Sequence, residues 1–318
     1  MPFFRKAAYS AQSQPDIALW YPSFYYNAML SHPTYLWPYS LNLNGKLWSI
    51  DAPKIMGILN ITPNSFFDGG KYLLPHQALH QAESMLSQGA HILDLGAASS
   101  KPGAQFISET EEWQRLEAVL KPLKQNFPNA IVSIDTWRSS IAQKAIDLGA
   151  HIINDISGGQ LDPAMFKTVA SARVPYVLMH MQGIPANMQQ APAYKNVVSE
   201  QFRYFAQKIE TLRELGQNDI ILDPGFGFGK TTDHNYQILK SLSHYQIFEL
   251  PVLVGLSRKR MVCEPLGIQA QDALNGTTAL HMLALQQGAH FLRAHDVEAA
   301  QQAIKLFLQF QAAPDEFI

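Results

Sequence analysis

Residues 56–70 have the sequence Met-Gly-Ile-Leu-Asn-Ile-Thr-Pro-Asn-Ser-Phe-Phe-Asp-Gly-Gly. The apolar residues 55–59 predict one buried strand, and Asn60 ends it with an amide that can bind an anion or a metal ion. A polar loop with a proline and two glycines follows. A strand that delivers a polar side chain to a long loop is typical of an α/β barrel, where the chemistry lies at this end of the strands.

The pattern of strand, loop and helix repeats along the rest of the chain. The apolar segments predicted to be strands are 54–60, 91–95, 131–135, 151–154, 175–180, 219–223, 251–255 and 290–294. Helical patterns lie between them, for example at 109–126, 197–216 and 271–287. Eight such units predict an α/β fold of the (β/α)8 TIM barrel type rather than an open sheet.

The segment before the first barrel strand has two parts. Residues 1–38 are crowded with Tyr, Trp, Phe, Pro and Ser and show no helix or strand period. We predict an irregular, aromatic-rich extension there, followed by a single barrel domain at 39–318. Within that domain, residues 40–50 alternate apolar and polar side chains around Asn44-Gly45, which predicts a hairpin placed to plug the bottom of the barrel.

Length and composition limit the classes of protein that the chain can belong to. The 318 residues accommodate a barrel of about 250 residues with an extension. A formal net charge of −2 gives no bulk attraction to nucleic acid or anionic lipid, and the single cysteine, Cys263, excludes an intramolecular disulfide framework. No signal-peptide pattern or membrane-length apolar run is visible. We therefore expect a soluble, cytoplasmic protein without nucleic-acid or membrane partners.

A short internal repeat places polar side chains on one rim of the predicted barrel. Gly-Ala-His occurs at 89–91, 149–151 and 288–290, each time where a helix ends and a strand begins. The third residue after each histidine is polar, and these residues are Asp94, Asn154 and Arg293. Three matched cases indicate a site at the carboxyl ends of the strands. The histidines belong to the opposite rim, where we expect a structural role.

Other strands also end in hydrogen-bonding or charged side chains. Acceptors in the pocket wall suit a ligand with a donor-rich edge, and they are Asp135, Asn154 and Asp223. Donors and cations nearer the mouth suit a phosphate or diphosphate, and they are Ser257, Lys259, Arg293 and His295. Asp94 fits a structural role as well as a catalytic one.

The glycine-rich segment 225–230 is not a Walker A loop, because Pro224 occupies the first glycine position. Its glycines predict a tight turn instead.

These blocks together resemble the dihydropteroate synthase family, which consists of pterin-binding TIM barrels. The matching segments are 56–70, 94–103, 133–136, 154–158, 223–230, 255–259 and 293–297. The resemblance implies a transferase of folate biosynthesis. Its reaction would join 4-aminobenzoate to (7,8-dihydropterin-6-yl)methyl diphosphate and release diphosphate.

The resemblance also implies roles for individual residues. Those that would bind the pterin are Asp135, Asn154, Asp223 and Lys259, of which Asp135, Asp223 and Lys259 would be catalytic. Those that would hold the diphosphate are Ser100, Arg293 and His295, with Asn60 at a Mg²⁺ ion. Two closing loops and one further residue, Ser257, would form the aminobenzoate pocket. The loop residues are Thr62, Pro63, Phe66, Lys101 and Pro102. A homodimer is the family's usual assembly.

Three loop residues depart from the family pattern. Asn64 replaces a usual Asp, Ala98 a usual Glu and Lys101 a usual Arg. Two alternatives stay open at this point. A pterin-binding methyltransferase barrel would share the pterin pocket but would not need the diphosphate residues. A non-catalytic, pterin-binding paralogue that serves as a scaffold is suggested by the altered loops.

Overall fold

The computed structural model describes residues 38–61, 73–98, 107–184 and 188–314. Nearly all of the predicted extension lies outside these residues, so the division of the chain at residue 38 stays a prediction. None of the described helices is both long and apolar enough to span a membrane.

The described chain consists of a hairpin and a barrel of alternating strands and helices. The hairpin strands are β1 (Tyr39–Leu43) and β2 (Lys46–Ile50). The barrel strands are β3 (Lys54–Asn60), β4 (Ile92–Gly96), β5 (Ile131–Asp135), β6 (Ile152–Asp155), β7 (Tyr176–Met179), β8 (Ile220–Asp223), β9 (Leu253–Val254) and β10 (Phe291–Ala294). The helices are α1 (Leu73–Ser87), α2 (Glu109–Asn126), α3 (Ser139–Asp147), α4 (Met165–Ala172), α5 (Val197–Glu214), α6 (Thr232–Lys240), α7 (Arg260–Leu266), α8 (Leu274–Gln286) and α9 (Val297–Gln311).

The eight barrel strands are parallel and form one closed sheet. They are hydrogen-bonded in the order β8-β7-β6-β5-β4-β3-β10-β9. A parallel bridge between Leu222 and Val252 joins the two ends of this series. The strands are buried on both faces, as a parallel sheet covered by helices requires. The predicted (β/α)8 TIM barrel with an N-terminal hairpin is confirmed.

The predicted elements differ from the observed ones mainly at their ends. Helix α2 begins where predicted, because the Ser108 side chain accepts a hydrogen bond from the Glu111 amide and caps the first turn. Strand β9 is shorter than the predicted segment 251–255, which begins with a proline that has no N–H to donate to a ladder. Helix α8 begins at Leu274 because a separate 3-10 turn, Ala270–Asp272, precedes it.

The hairpin closes the amino-terminal end of the barrel, as predicted. Leu41, Leu43 and Ile50 are buried and form one apolar cluster with inward-facing residues of the barrel strands. Those residues are Met56, Ile92, Ile152, Val177, Ile221, Leu253 and Phe291. Among the described residues, this apolar layer and the hairpin close one end of the barrel, which leaves the carboxyl ends of the strands for polar ligands.

The three histidines of the Gly-Ala-His repeat lie at this closed end and are structural. Nδ1 of His91, His151 and His290 each accepts a backbone N–H from the start of a neighbouring strand, at 3.1 Å. The donors are the amides of Ile55, Val132 and Val252. Each histidine therefore adds one hydrogen bond to a backbone amide at the start of a strand. This shared role explains why the repeat recurs at the same place in three units.

Candidate active site

The polar strand ends converge on the open end of the barrel. Inward-facing positions alternate along each strand, so the apolar layer at the hairpin is followed by a polar layer two residues later. Ile92 is followed in this way by Asp94, and Ile152 by Asn154. Ile221 is followed by Asp223. The Gly-Ala-His repeat therefore predicts the inward direction of Asp94 and Asn154 correctly, and Asp223 follows the same pattern without the repeat.

Arg293 connects two carboxylates across this layer. Its Nε donates to Oδ2 of Asp94 at 2.7 Å, and its Nη2 donates to Oδ2 of Asp135 at 2.8 Å. The Asp94 side chain is fully buried, and only 17% of the Arg293 side chain is exposed. The guanidinium charge thus compensates two buried carboxylates that would otherwise repel each other. Burial acts to lower the pKa of Arg293, but Asp94 and Asp135 raise it, so the group stays charged.

Asp94 also sets the orientation of the Asn154 amide. Nδ2 of Asn154 donates to Oδ2 of Asp94 at 3.0 Å. A carboxylate can only accept, so this contact fixes the NH₂ group on the Asp94 side and leaves the amide oxygen for another partner. Asn154 is therefore held as an acceptor for a donor on a bound ligand. The sequence placed Asp94 on the site rim and left a structural or a catalytic role open, but it gave no sign that Asp94 orients Asn154.

Asp223 and Lys259 face each other beside the glycine-rich loop. Oδ1 of Asp223 accepts from the Gly225 amide at 2.7 Å. Nζ of Lys259 donates to the Phe226 carbonyl oxygen and lies 4.7 Å from the centre of the Phe228 ring. The loop thus donates a backbone N–H to the Asp223 carboxylate. It also offers the Lys259 ammonium group a carbonyl oxygen and the face of an aromatic ring. The predicted structural role of these glycines agrees with this arrangement.

Burial shifts the pKa values of these groups towards neutral pH. It raises the pKa of Asp135 to about 7, although Arg293 opposes the shift. It also raises the pKa of Asp223, against the effect of Lys259. Burial lowers the pKa of Lys259 to about 8, while Asp223 acts to raise it. With the pKa of Asp135 at about 7 and that of Lys259 at about 8, the pocket can exchange protons with a ligand near neutral pH.

His295 is a hydrogen-bond donor at the mouth rather than a cation in the free protein. Its side chain is exposed at the mouth, but desolvation by the surrounding residues, together with the charge of Arg293, lowers its pKa to about 4. Ser257 Oγ accepts from the His295 backbone amide at 3.2 Å and lies 3.0 Å from His295 Nδ1. In the tautomer with its proton on Nε2, His295 accepts the Ser257 hydroxyl at Nδ1, whereas in the other tautomer Nδ1–H donates to Ser257 Oγ. Ser257, predicted to border the aminobenzoate pocket, is buried and orients this histidine.

Asn60 is the described residue that fits the predicted metal position. It ends β3, and its Oδ1 would lie 3.5 Å from a Cβ added at Gly96, close to Asp135. No group of three or more His, Cys, Asp and Glu side chains is arranged for a metal ion within the described ranges. A single amide oxygen suits Mg²⁺ only when phosphate oxygens and water complete its shell, because Mg²⁺ is commonly bound in this way. The site therefore fits an ion that arrives with a diphosphate.

Eight of the predicted site residues are described, and the structure brings them to the same end of the barrel. They are Asn60, Asp135, Asn154, Asp223, Ser257, Lys259, Arg293 and His295. The other predicted residues fall outside the described ranges, namely Thr62, Pro63, Phe66, Ser100, Lys101 and Pro102. Of the three departures from the family pattern, only Ala98 is described.

Comparison with known proteins decides the family. The family model of pterin binding enzymes matches residues 56–295, which include the whole polar layer described above. This chain belongs to the pterin binding enzymes. Among the curated members, the dihydropteroate synthase of Escherichia coli K12 is 40% identical over 264 residues, which are 82% of this chain and 93% of that protein. The family predicted from the sequence is confirmed.

Solved structures of family members have the same fold. The Yersinia pestis dihydropteroate synthase, in complex with a sulfonamide drug, has a TM-score of 0.81 and 41% identity, and the match covers 86% of this chain and 100% of that one. The Xanthomonas albilineans dihydropteroate synthase in complex with 7,8-dihydropteroate has a TM-score of 0.78 and 35% identity, over 87% and 100% of the two chains. The match covers nearly all of both relatives, so their barrels correspond to this one from end to end.

Proposed function

We propose that this protein is a dihydropteroate synthase that condenses 4-aminobenzoate with (7,8-dihydropterin-6-yl)methyl diphosphate. Its curated relatives and structural neighbours carry this activity in their names. The observation that carries the proposal is the joint presence, in one pocket, of an acceptor wall and a set of donors and cations. Such a pocket suits a substrate that has a donor-rich ring at one end and a diphosphate at the other.

The acceptor wall would bind the pterin ring. Asp135, Asp223 and the oxygen of Asn154 accept hydrogen bonds, and the amino-pyrimidinone edge of a pterin presents N–H groups. Lys259 would donate to the ring carbonyl and the adjacent ring nitrogen. The Asn154 assignment rests on its contact with Asp94, since an amide turned the other way would place its NH₂ group against the N–H groups of the ligand.

The reaction breaks a carbon–oxygen bond and forms a carbon–nitrogen bond at the same exocyclic carbon. As the diphosphate leaves with the bonding pair, positive charge develops on the CH₂ group attached to the pterin. The Asp223 carboxylate is buried, that of Asp135 is only 12% exposed, and both are already oriented, so they would stabilise this charge without reorganisation. The aromatic amine then supplies the electron pair for the new bond and loses a proton to solvent or to the departing diphosphate.

The mouth of the pocket would hold the leaving group. His295 Nε2–H would donate to the diphosphate, and Arg293 would contribute positive charge from deeper in the pocket. Asn60 would hold a Mg²⁺ ion together with the diphosphate. When bound, such an ion would neutralise charge on the leaving group. Ser100 and the two loops that include Thr62, Phe66 and Lys101 are proposed, from the resemblance alone, to complete the diphosphate and aminobenzoate sites.

Turnover by the purified protein tests this proposal. With both substrates and Mg²⁺, we expect stoichiometric formation of 7,8-dihydropteroate and diphosphate. A pterin-binding methyltransferase would release no diphosphate, and a non-catalytic paralogue would bind the pterin without product. Absence of product from folded protein that binds the pterin diphosphate would therefore contradict the proposal. A homodimer, a cytoplasmic location and inhibition by sulfonamides are expected from the same family and stay predictions.

A further inference from the structure

Lys230 is a buried cation that the proposed reaction does not use. It ends the glycine-rich segment, and only 2% of the residue is exposed. Its Nζ donates to the carbonyl oxygens of His180 at 3.1 Å, Gly225 at 2.8 Å and Phe228 at 2.9 Å. An ammonium group has three donors, so these carbonyls use all of them and require the protonated form. Burial lowers the pKa of Lys230, whereas Asp223 acts to raise it.

These contacts join the loop at 224–230 to the segment that follows β7. The loop packs against that segment so closely that a Cβ at Gly225 would lie 2.0 Å from the His180 carbonyl oxygen. Gly225 also has a φ of +68°, which a side chain would disfavour. Carbonyl oxygens from both segments converge on one point, the Nζ of Lys230. The Lys230 ammonium group lies among these oxygens and offsets their repulsion.

The other face of the same loop contacts the site. Gly225 donates its amide to Asp223, while the Phe226 carbonyl and the Phe228 ring contact Lys259. Gly225 and Phe228 therefore each accept from Lys230 through the carbonyl oxygen. Each also contacts a site residue through another group, namely the Gly225 amide and the Phe228 ring. We propose that Lys230 is a positioning residue, whose buried ammonium group holds the glycine-rich loop in the conformation that places Asp223 and Lys259 for the pterin. The kinetic part of this inference rests on the proposed function, but the structural part does not.

The test compares Lys230→Met with Lys230→Arg and with a control. Methionine keeps an unbranched side chain but removes the charge and all three donors, whereas arginine keeps the charge in a planar group that cannot match the same three carbonyls. Lys240→Met is the matched control, because Lys240 is exposed on the neighbouring helix α6. The measurements are amide hydrogen exchange at 224–230, calorimetric binding of a free pterin and steady-state kinetics as a function of pH.

We expect Lys230→Met to speed exchange in the loop and to weaken pterin binding about tenfold or more, since a loosened loop loses at least one oriented contact. The KM for 4-aminobenzoate should change less than about twofold. The charged groups that face Lys259 are Asp223, Asp135 and Arg293, which remain in the variant, and Lys230 itself, whose charge Lys230→Met removes. Because loss of that charge alone raises the pKa of Lys259, the pH profile is compared with that of Lys230→Arg, which keeps the charge. A Lys259 released towards solvent should then titrate above its present pKa of about 8, so the basic limb of the pH profile moves to higher pH. Lys230→Arg should recover part of each effect.

The inference is overturned if Lys230→Met leaves loop exchange, pterin affinity and the pH profile as in the wild type. A fall in activity with unchanged loop exchange and pH profile would overturn it equally. If Lys230→Met does not fold, the charge state is read in wild-type protein by NMR of ¹⁵N-labelled lysine. A protected ammonium group at pH 7 supports the inference and a neutral amine refutes it. Should the wild type show no turnover, loop exchange and pterin binding still test the role of Lys230.

Discussion

Nε of Arg293 lies 2.7 Å from Oδ2 of Asp94, a carboxylate that no solvent reaches. The two residues lie 199 positions apart in the chain, and their pairing spans β3, which lies between the strands that carry them. In the free protein Arg293 is therefore committed to the pocket carboxylates. The resemblance implies that it binds diphosphate, and in this structure it would do so only by sharing or exchanging these contacts.

The first prediction is that Arg293→Ala destabilises the fold strongly. The substitution leaves Asp94 and Asp135 buried without their counter-ion, and removal of one partner of a buried pair typically costs about 3–5 kcal/mol. Urea unfolding at pH 7.5 measures the loss. His295→Ala is the comparison, because it removes a neutral side chain and should cost less. A loss below about 1 kcal/mol for Arg293→Ala would show that the two carboxylates are compensated by other groups.

The second prediction separates the two ends of the substrate. His295→Ala should weaken binding of the pterin diphosphate by about 1.5–3 kcal/mol, the typical worth of a hydrogen bond to a charged group, and leave binding of a free pterin unchanged. Arg293→Ala should weaken both ligands, because it also disturbs Asp135. Calorimetry with the two ligands measures this difference. Equal losses for both ligands in His295→Ala would remove this residue from the diphosphate site.

The third prediction concerns the pH dependence of pterin binding. The pKa of Asp135 is raised to about 7, so its carboxylate accepts hydrogen bonds fully only above that pH. The pKa of Lys259 is lowered to about 8, so its ammonium group is lost above that pH. Affinity should therefore rise with pH through about 7 and fall again above about 8. In Asp135→Asn the acidic limb should disappear, and a flat profile between pH 6 and 9 in the wild type would contradict the assignment.

The sequence alone predicted most of the barrel, because its strands are short apolar runs followed by polar residues. It also placed Asp135, Asn154, Asp223 and Lys259 on one rim. It did not reveal that Asp94 orients Asn154 or that Lys230 is buried, because both depend on contacts between strands far apart in the chain. The lowered pKa of His295 was equally hidden, since it follows from desolvation by the surrounding fold and from the charge of Arg293.

The fourth prediction concerns the histidines at the closed end of the barrel. Burial lowers the pKa of His290 to about 4, and its Nδ1 accepts the Val252 amide. The unfolded chain, with a pKa of about 6.5, binds more protons than the folded one between these values. Stability contributed by neutral His290 is therefore complete above pH 6.5 and is lost as the pH falls towards 4. Unfolding free energies at pH 5.0 and 7.5 measure this loss.

His290→Asn is the variant that isolates the effect. The Asn Oδ1 can accept the same backbone hydrogen bond but cannot titrate in this range. We expect the difference in stability between pH 7.5 and 5.0 to shrink by about 1–3 kcal/mol relative to the wild type, as a shift of about two units implies. An unchanged difference would show that His290 is not a source of acid sensitivity.

The central claim is that an oriented carboxylate in this pocket stabilises the charge that develops as diphosphate leaves. The most direct test is kcat for Asp223→Asn, which keeps the shape of the side chain and removes its charge. Asp219→Asn is the matched control, because Asp219 precedes the same strand at the closed end, where it accepts the Asn42 amide at 3.0 Å. We predict that kcat falls about 10²–10³-fold in Asp223→Asn, with an unchanged unfolding midpoint, and stays near the wild-type value in Asp219→Asn. A kcat near the wild-type value in Asp223→Asn would contradict the account.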